Sequence, residues 1–388
     1  MSLIADNVLA PKLRQAVLLG ICAWWVASVS AAEFGEGVAA YKRGDFANAV
    51  IIFSELAQSE DARAQFALGL LYDNGDGVEL DQSLAAQWYG KSAVQGYAKA
   101  QYNLALLFSQ DESSPQNKDL ARTWFIRAAE SGNADGVAWL RDAADKSDPD
   151  AQYHLGRMYL LAKGVPRNES EGFRWMSQAA SSHHTQACYN LGVLYENGRA
   201  AKRSYTEAIM WYQIAAAGDW NPAHYNLARL YRLGRGVVQD LDRAEKSYER
   251  AANAGLREAQ LSLAMLYEAG QGWPRNAAKA FYWYKTAAAG GIADAQVNLG
   301  YLYGAGRGTP KDLIESLAWY TVAADMGHPV AIENTAILER ALGPAQIALA
   351  RSRAKELNRR ADSSTVVQEF KLPGSSEPQL APDFGTNG

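Results

Sequence analysis

The sequence predicts an all-α chain, a right-handed α-solenoid of stacked helix hairpins. Three observations carry this. A motif of the form Leu–small–x–Leu/Met–aromatic recurs seven times, its first leucine at positions 68, 104, 155, 191, 227, 263 and 299. Five of the six intervals are 36 residues and the other is 51. Small and aromatic residues keep the same register around it, and glycine-bearing loops split most units in two. A fixed period of roughly 20–50 residues marks a repeat architecture, in which a unit too small to bury its apolar face is covered by its neighbours.

The N-terminus stands apart. Lys12 and Arg14 precede an apolar run from Ala16 to Val29, which ends in Ser30-Ala31-Ala32. A basic start, an apolar middle and a small-residue exit describe a secretory signal peptide over residues 1–32, cut after Ala31 or Ala32. This predicts a periplasmic or secreted protein. Two alternatives stay open: an uncleaved inner-membrane anchor, or a lipoprotein at Cys22, where Leu19-Gly20-Ile21-Cys22 carries Ile21 in place of a small residue. Membrane association follows only from those alternatives. Residues 33–61 read as a capping hairpin, with Gly37-Val38-Ala39-Ala40-Tyr41 and Gly44-Asp45-Phe46-Ala47-Asn48-Ala49 on either side of a tight turn.

Residues 62–329 hold the seven repeats. Four residues before each first leucine stands an alanine: 64, 100, 151, 187, 223, 259 and 295. With the leucines and the aromatic it falls at i, i+4, i+7 and i+8, one face of a helix. Further on, Trp88, Trp124, Trp175, Trp211, Trp283 and Trp319 hold one position, with Ser247 in the remaining unit. A small pair follows, as in Ala215-Ala216, which gives a second helical stripe. Glycines such as Gly75, Gly234, Gly270 and Gly306 end the first helix, and Asp81, Asp240 and Asp312 open the second. The long interval holds an extra helix near 134–148, built on Val137, Trp139-Leu140 and Ala143-Ala144, and follows a loop from Ser109 to Asn117 without glycine. Residues 330–360 read as C-terminal capping helices broken at Gly343-Pro344, with a basic outer side. Residues 361–388, rich in Ser, Pro and Gly, read as a disordered tail.

The unit Ala-x-x-x-Leu-Gly-x-Leu-Tyr, Gly-x-Gly, Asp, Trp-Tyr, Ala-Ala resembles a Sel1-like repeat, clearest from Asp294 to Gly308. These repeats are relatives of tetratricopeptide repeats, whose hairpin the 33–61 segment resembles. The Asn197-Gly198-Arg199-Ala200 loop and Ser247 depart from the pattern. The resemblance implies a Sel1-like/tetratricopeptide superhelix and an adaptor role. Secreted bacterial members include scaffolds of exopolysaccharide secretion, flagellar motor components and regulators that bind envelope proteins.

Chemistry is thin. With 38 basic and 42 acidic residues the chain carries a net charge of −4, which argues against nucleic acid as a partner. No catalytic constellation, cofactor motif or metal site is visible. His183-His184 sits in a turn, where adjacent side chains chelate poorly, and His154, His224 and His328 lie in different units. Ser352-Arg353-Ala354-Lys355 matches a β-lactamase nucleophile motif without its companion elements. Cys188 reads as a packing residue. The reading is therefore a non-catalytic protein–protein interaction scaffold of the bacterial cell envelope, binding partners on a concave surface. Candidate contacts are Gln101, His224, Arg229 and Arg232 on the first helices. Trp220 and Trp273 are added as aromatics outside the repeating register, like Trp139 and Tyr282. An alternative is a polysaccharide- or peptidoglycan-associated scaffold in which these rings stack sugars; an enzyme is a remote third.

Overall fold

The computed structural model describes residues 32–110, 114–270 and 274–369. Residues 1–31 of the expected signal peptide, Cys22 among them, and the segment 370–388 lie outside them. The described residues form nineteen helices and no strand, and none of those helices is long and apolar enough to cross a membrane.

The chain divides into two compact units, residues 1–187 and 188–388. The first contains α1 (32–42), α2 (Phe46–Gln58), α3 (Ala62–Asn74), α4 (Gln82–Val94), α5 (Ala98–Ser109), α6 (Pro115–Glu130), α7 (Ala134–Asp145), α8 (Pro149–Leu161) and α9 (Glu169–Ser181). The boundary falls inside α10 (Thr185–Asn197). The second continues with α11 (Tyr205–Ala217), α12 (Asn221–Leu233), α13 (Leu241–Asn253), α14 (Arg257–Ala269), α15 (Ala277–Ala289), α16 (Ala293–Ala305), α17 (Leu313–Asp325), α18 (Pro329–Ala341) and α19 (Pro344–Glu369). Within each unit, short loops fold successive helices onto one another as hairpins, α3 on α4 and α14 on α15 among them. These stacked hairpins are the α-solenoid class that the period predicts. α7 packs between α6 and α8 and belongs to no hairpin of the regular spacing.

Local chemistry sets the boundaries. Asp81, Asp240 and Asp312 cap α4, α13 and α17, each carboxylate accepting from backbone N–H groups of the first turn, which would otherwise lack partners. Gly306 ends α16 at φ 66°, and Ala162 adopts the same left-handed conformation after α8 at φ 57°. Two boundaries differ from the sequence reading. Ser114 caps α6 and Pro115 starts it, inside the span expected to be loop, because proline at the first helical position has no N–H to leave unpaired. α19 runs on to Glu369, past the residue 360 at which the helical part was expected to end.

The core follows the register. The first leucine of all seven motifs is buried, and full burial of such a side chain contributes ~1.5–3 kcal/mol. The second aromatic lies deepest: Tyr89, Tyr212, Tyr248 and Tyr284 are among the largest fully buried side chains. The preceding tryptophans are more mixed. Trp88 and Trp124 are half-buried, and their outer faces carry Lys91 at 4.0 Å and Arg127 at 4.7 Å, an arrangement that lets an aromatic edge of the core meet water.

A candidate interaction surface on the first helices

A glutamine follows the repeating alanine in five of the seven repeats. Gln101 is buried, and its Nε2 donates to the carbonyl of Ala93 at 3.1 Å. Gln65, Gln152, Gln260 and Gln296 make the same bond to the carbonyl eight residues earlier. Each ties the first helix of one repeat to the end of the helix before it, where carbonyls lack helical partners. Gln101 is therefore an inter-repeat brace and offers nothing to a partner. His224 holds the same position and is also buried, not open to a partner as expected of a candidate contact; burial pushes its pKa down, aided by Arg250 and opposed by Asp219.

The other expected contacts are partly spent internally. Arg229 is half-buried and bonds to Asn226 and Glu196, at 3.4 Å in each case. Arg232 lies beside Tyr248, and its Nε is buried without a hydrogen-bond partner among the described residues. Trp220 caps α12 in a half-buried position, its ring 6.1 Å from that of Tyr189. Trp139 stacks on Phe125 at 4.5 Å. Tyr282 is exposed, and Trp273 lies outside the described residues.

A second recurrent feature is a tyrosine bonded to an acid sixteen residues earlier. Tyr89 donates to Asp73 at 3.1 Å, Tyr212 to Glu196 at 2.8 Å and Tyr284 to Glu268 at 2.7 Å. Burial first, then the carboxylate, drives Tyr212 and Tyr284 far above the ordinary phenol range. These phenols stay neutral donors and fix the carboxylates on the first-helix face.

The variable residue between the two leucines of the motif is buried in the third repeat, as Arg157, and exposed in three others. It is Leu106 in the second repeat, Met265 in the sixth and Tyr301 in the seventh, with 40%, 51% and 47% of their surfaces exposed. Met265 on α14 and Asn298 on α16 line an open cleft of about 440 Å³ with Glu268, Arg275, Tyr284 and Arg307. Tyr301 stands beside it, its hydroxyl accepting from Arg307 at 3.3 Å. Sequence reasoning passed over these residues. The available signal was large apolar side chains at the middle letter of Leu-Gly-x-Leu-Tyr, which lies off the stripe of repeating residues.

Among the described residues no three His, Cys, Asp or Glu side chains group as a metal site. The two histidine–aspartate contacts tie helix starts together. His184 Nε2 lies 2.9 Å from Asp150, while its Nδ1 accepts from Ala187 N–H, and His328 lies 3.0 Å from Asp294.

Hairpins whose apolar stripes cover one another define a repeat scaffold of the α-solenoid class. The chain belongs to the Sel1 repeat family, whose model matches residues 62–97, 98–133, 149–184, 185–219, 221–256, 257–292 and 293–328. The unmatched stretch 134–148 is the α7 segment. Such proteins are generally protein-interaction scaffolds. A Sel1 repeat protein from Oxalobacter formigenes is 27% identical, over 87% of this chain and 97% of that one, with a TM-score of 0.49. A protective antigen of uropathogenic Escherichia coli, c5321, is 24% identical over 92% and 90%, with a TM-score of 0.41. Helicobacter pylori cysteine rich protein B is 22% identical over 34% and 93%, with a TM-score of 0.28. No curated protein matches the chain.

Proposed function

We propose that the protein is a non-catalytic interaction scaffold of the bacterial cell envelope, and that its partner docks on the first-helix face of the second unit. The observation that carries this is the pair Met265 and Tyr301: two large apolar side chains held in solvent, one repeat apart, beside an open cleft. Apolar residues beside well-placed polar groups are the usual anchors of an interface. Export rests on the basic, apolar and small-residue succession of residues 12–32.

The test is affinity capture from envelope fractions, comparing the wild type with the double variant Met265→Ser/Tyr301→Ser at matched thermal stability. A protein retained by the wild type and lost from the variant supports the docking face. Identical capture by both proteins moves docking elsewhere. Recovery of the chain from the cytoplasm with residues 1–32 intact removes the envelope assignment.

A further inference from the structure

We propose that the cleft between α14 and α16 binds a carboxylate, the side chain of an aspartate or glutamate in an extended segment of the partner. This rests on the scaffold reading above and adds the chemistry of the partner.

The argument comes from comparing two junctions built from the same repeat positions. Between repeats four and five, Glu196, Tyr212, Asn226 and Arg229 close on themselves. Tyr212 and Arg229 both donate to Glu196. Asn226 accepts from Arg229 and donates to the Tyr189 hydroxyl. Arg203 and Arg235, which hold the positions of Arg275 and Arg307, lie over the Tyr205 ring there, at 5.9 and 5.7 Å. Between repeats six and seven the corresponding residues are Glu268, Tyr284, Asn298 and Tyr301. Tyr301 replaces the arginine that closes the other junction, and the space stays open. Asn298 has no hydrogen-bond partner among the described residues.

Cations from two loops face that space. Arg307 reaches only to 3.9 Å from Glu268, whose other oxygen is taken by Tyr284. Arg275 donates its Nε to the Ala269 carbonyl at 3.2 Å, which leaves its terminal nitrogens without a partner among the described residues. Two guanidinium groups against one carboxylate leave the cleft one positive charge in excess, in a chain whose net charge is −4. Planar guanidinium forks match a carboxylate, and the Asn298 amide adds a third donor. The exposed Met265 and Tyr301 supply an apolar rim for the neighbouring side chain. The cleft is open, so a chain can pass through it, which suits an internal acidic residue over a terminus.

The probe is a random peptide display library selected on the full chain. The expected binders share an Asp or Glu beside an aliphatic or aromatic residue. Their affinity falls about tenfold or more in Arg307→Gln and in Asn298→Ala, as loss of a charge-assisted bond implies. It is unchanged in Glu333→Gln, on exposed α18, and Arg307→Glu shifts selection toward basic peptides. Binders that depend on the cleft without an acidic residue overturn the carboxylate assignment and leave the scaffold standing. Failure to select any binder overturns both.

Discussion

Replacing Tyr212 by Phe removes one hydroxyl and nothing else, so its cost can be worked out. The tyrosine is fully buried, its hydroxyl lies 2.8 Å from Glu196, and the Glu196 side chain is 11% exposed. The other carboxylate oxygen accepts from Arg229, at 3.4 Å. A hydrogen bond to a charged group is worth ~1.5–3 kcal/mol, and a sheltered carboxylate regains little from water when it is lost. The expected destabilisation is about 2 kcal/mol. In a Glu196→Gln background the same hydroxyl meets a neutral acceptor and is worth about 1 kcal/mol, which leaves a coupling of about 1 kcal/mol in the double-mutant cycle. Urea unfolding followed by far-ultraviolet circular dichroism measures this, with hydrogen exchange of α11 and α12 as the local readout in a repeat chain that need not unfold in one step. The alkaline limb gives a second measurement. The folded phenol is raised above its unfolded value, so its contribution is complete below the ordinary tyrosine range and is lost as pH climbs toward the folded value. Tyr212→Phe flattens that loss. A variant within about 0.5 kcal/mol of wild type, or an equal loss in both backgrounds, refutes the reasoning.

Four further outcomes follow. His224→Gln restores the brace to the Ala216 carbonyl and raises stability by about 1 kcal/mol. It also removes a loss of stability that sets in as pH falls below the ordinary histidine range, where the unfolded imidazole takes up a proton that the buried one refuses; unfolding at two pH values measures both. Cys188 is buried with its thiol pushed up to about 11, so iodoacetamide at neutral pH labels it only after denaturation. Asp150 is held below its ordinary value by His184 first and then by Arg122. Its contribution is present above the unfolded carboxylate value and fades as pH drops through the folded one, and Asp150→Asn makes acid unfolding shallower. Gly308→Ala costs at least about 2 kcal/mol by thermal unfolding, because the new methyl would stand 2.1 Å from the Ala277 carbonyl at a φ of 74°.

The stacked hairpins were legible because the constraint is repeated: one apolar face, copied seven times, leaves a register that a single copy would hide. Inference weakened where residue type and position disagree. Gln101 and His224 are polar letters on an amphipathic helix, which suggests solvent, yet both lie against the end of the preceding repeat. The recurrence of glutamine beside the repeating alanine was the available clue. Trp220 stood out by breaking the register, but a ring beside a turn packs on its nearest neighbour, here Tyr189. Met265 and Tyr301 were missed for the opposite reason. They occupy a letter of the motif that is exposed here and buried at Arg157, so its place in the repeat does not by itself put it in solvent.

Site-specific photo-crosslinking in living cells tests the account most directly. A photoreactive residue is placed at position 265 and, in a second strain, at position 238, where Val238 is exposed in a loop. The account predicts one discrete crosslinked partner from position 265, absent from position 238 and lost when Arg307→Gln is added. Equal crosslinking from both positions, or none from position 265 in cells that fold and export the protein, would contradict it.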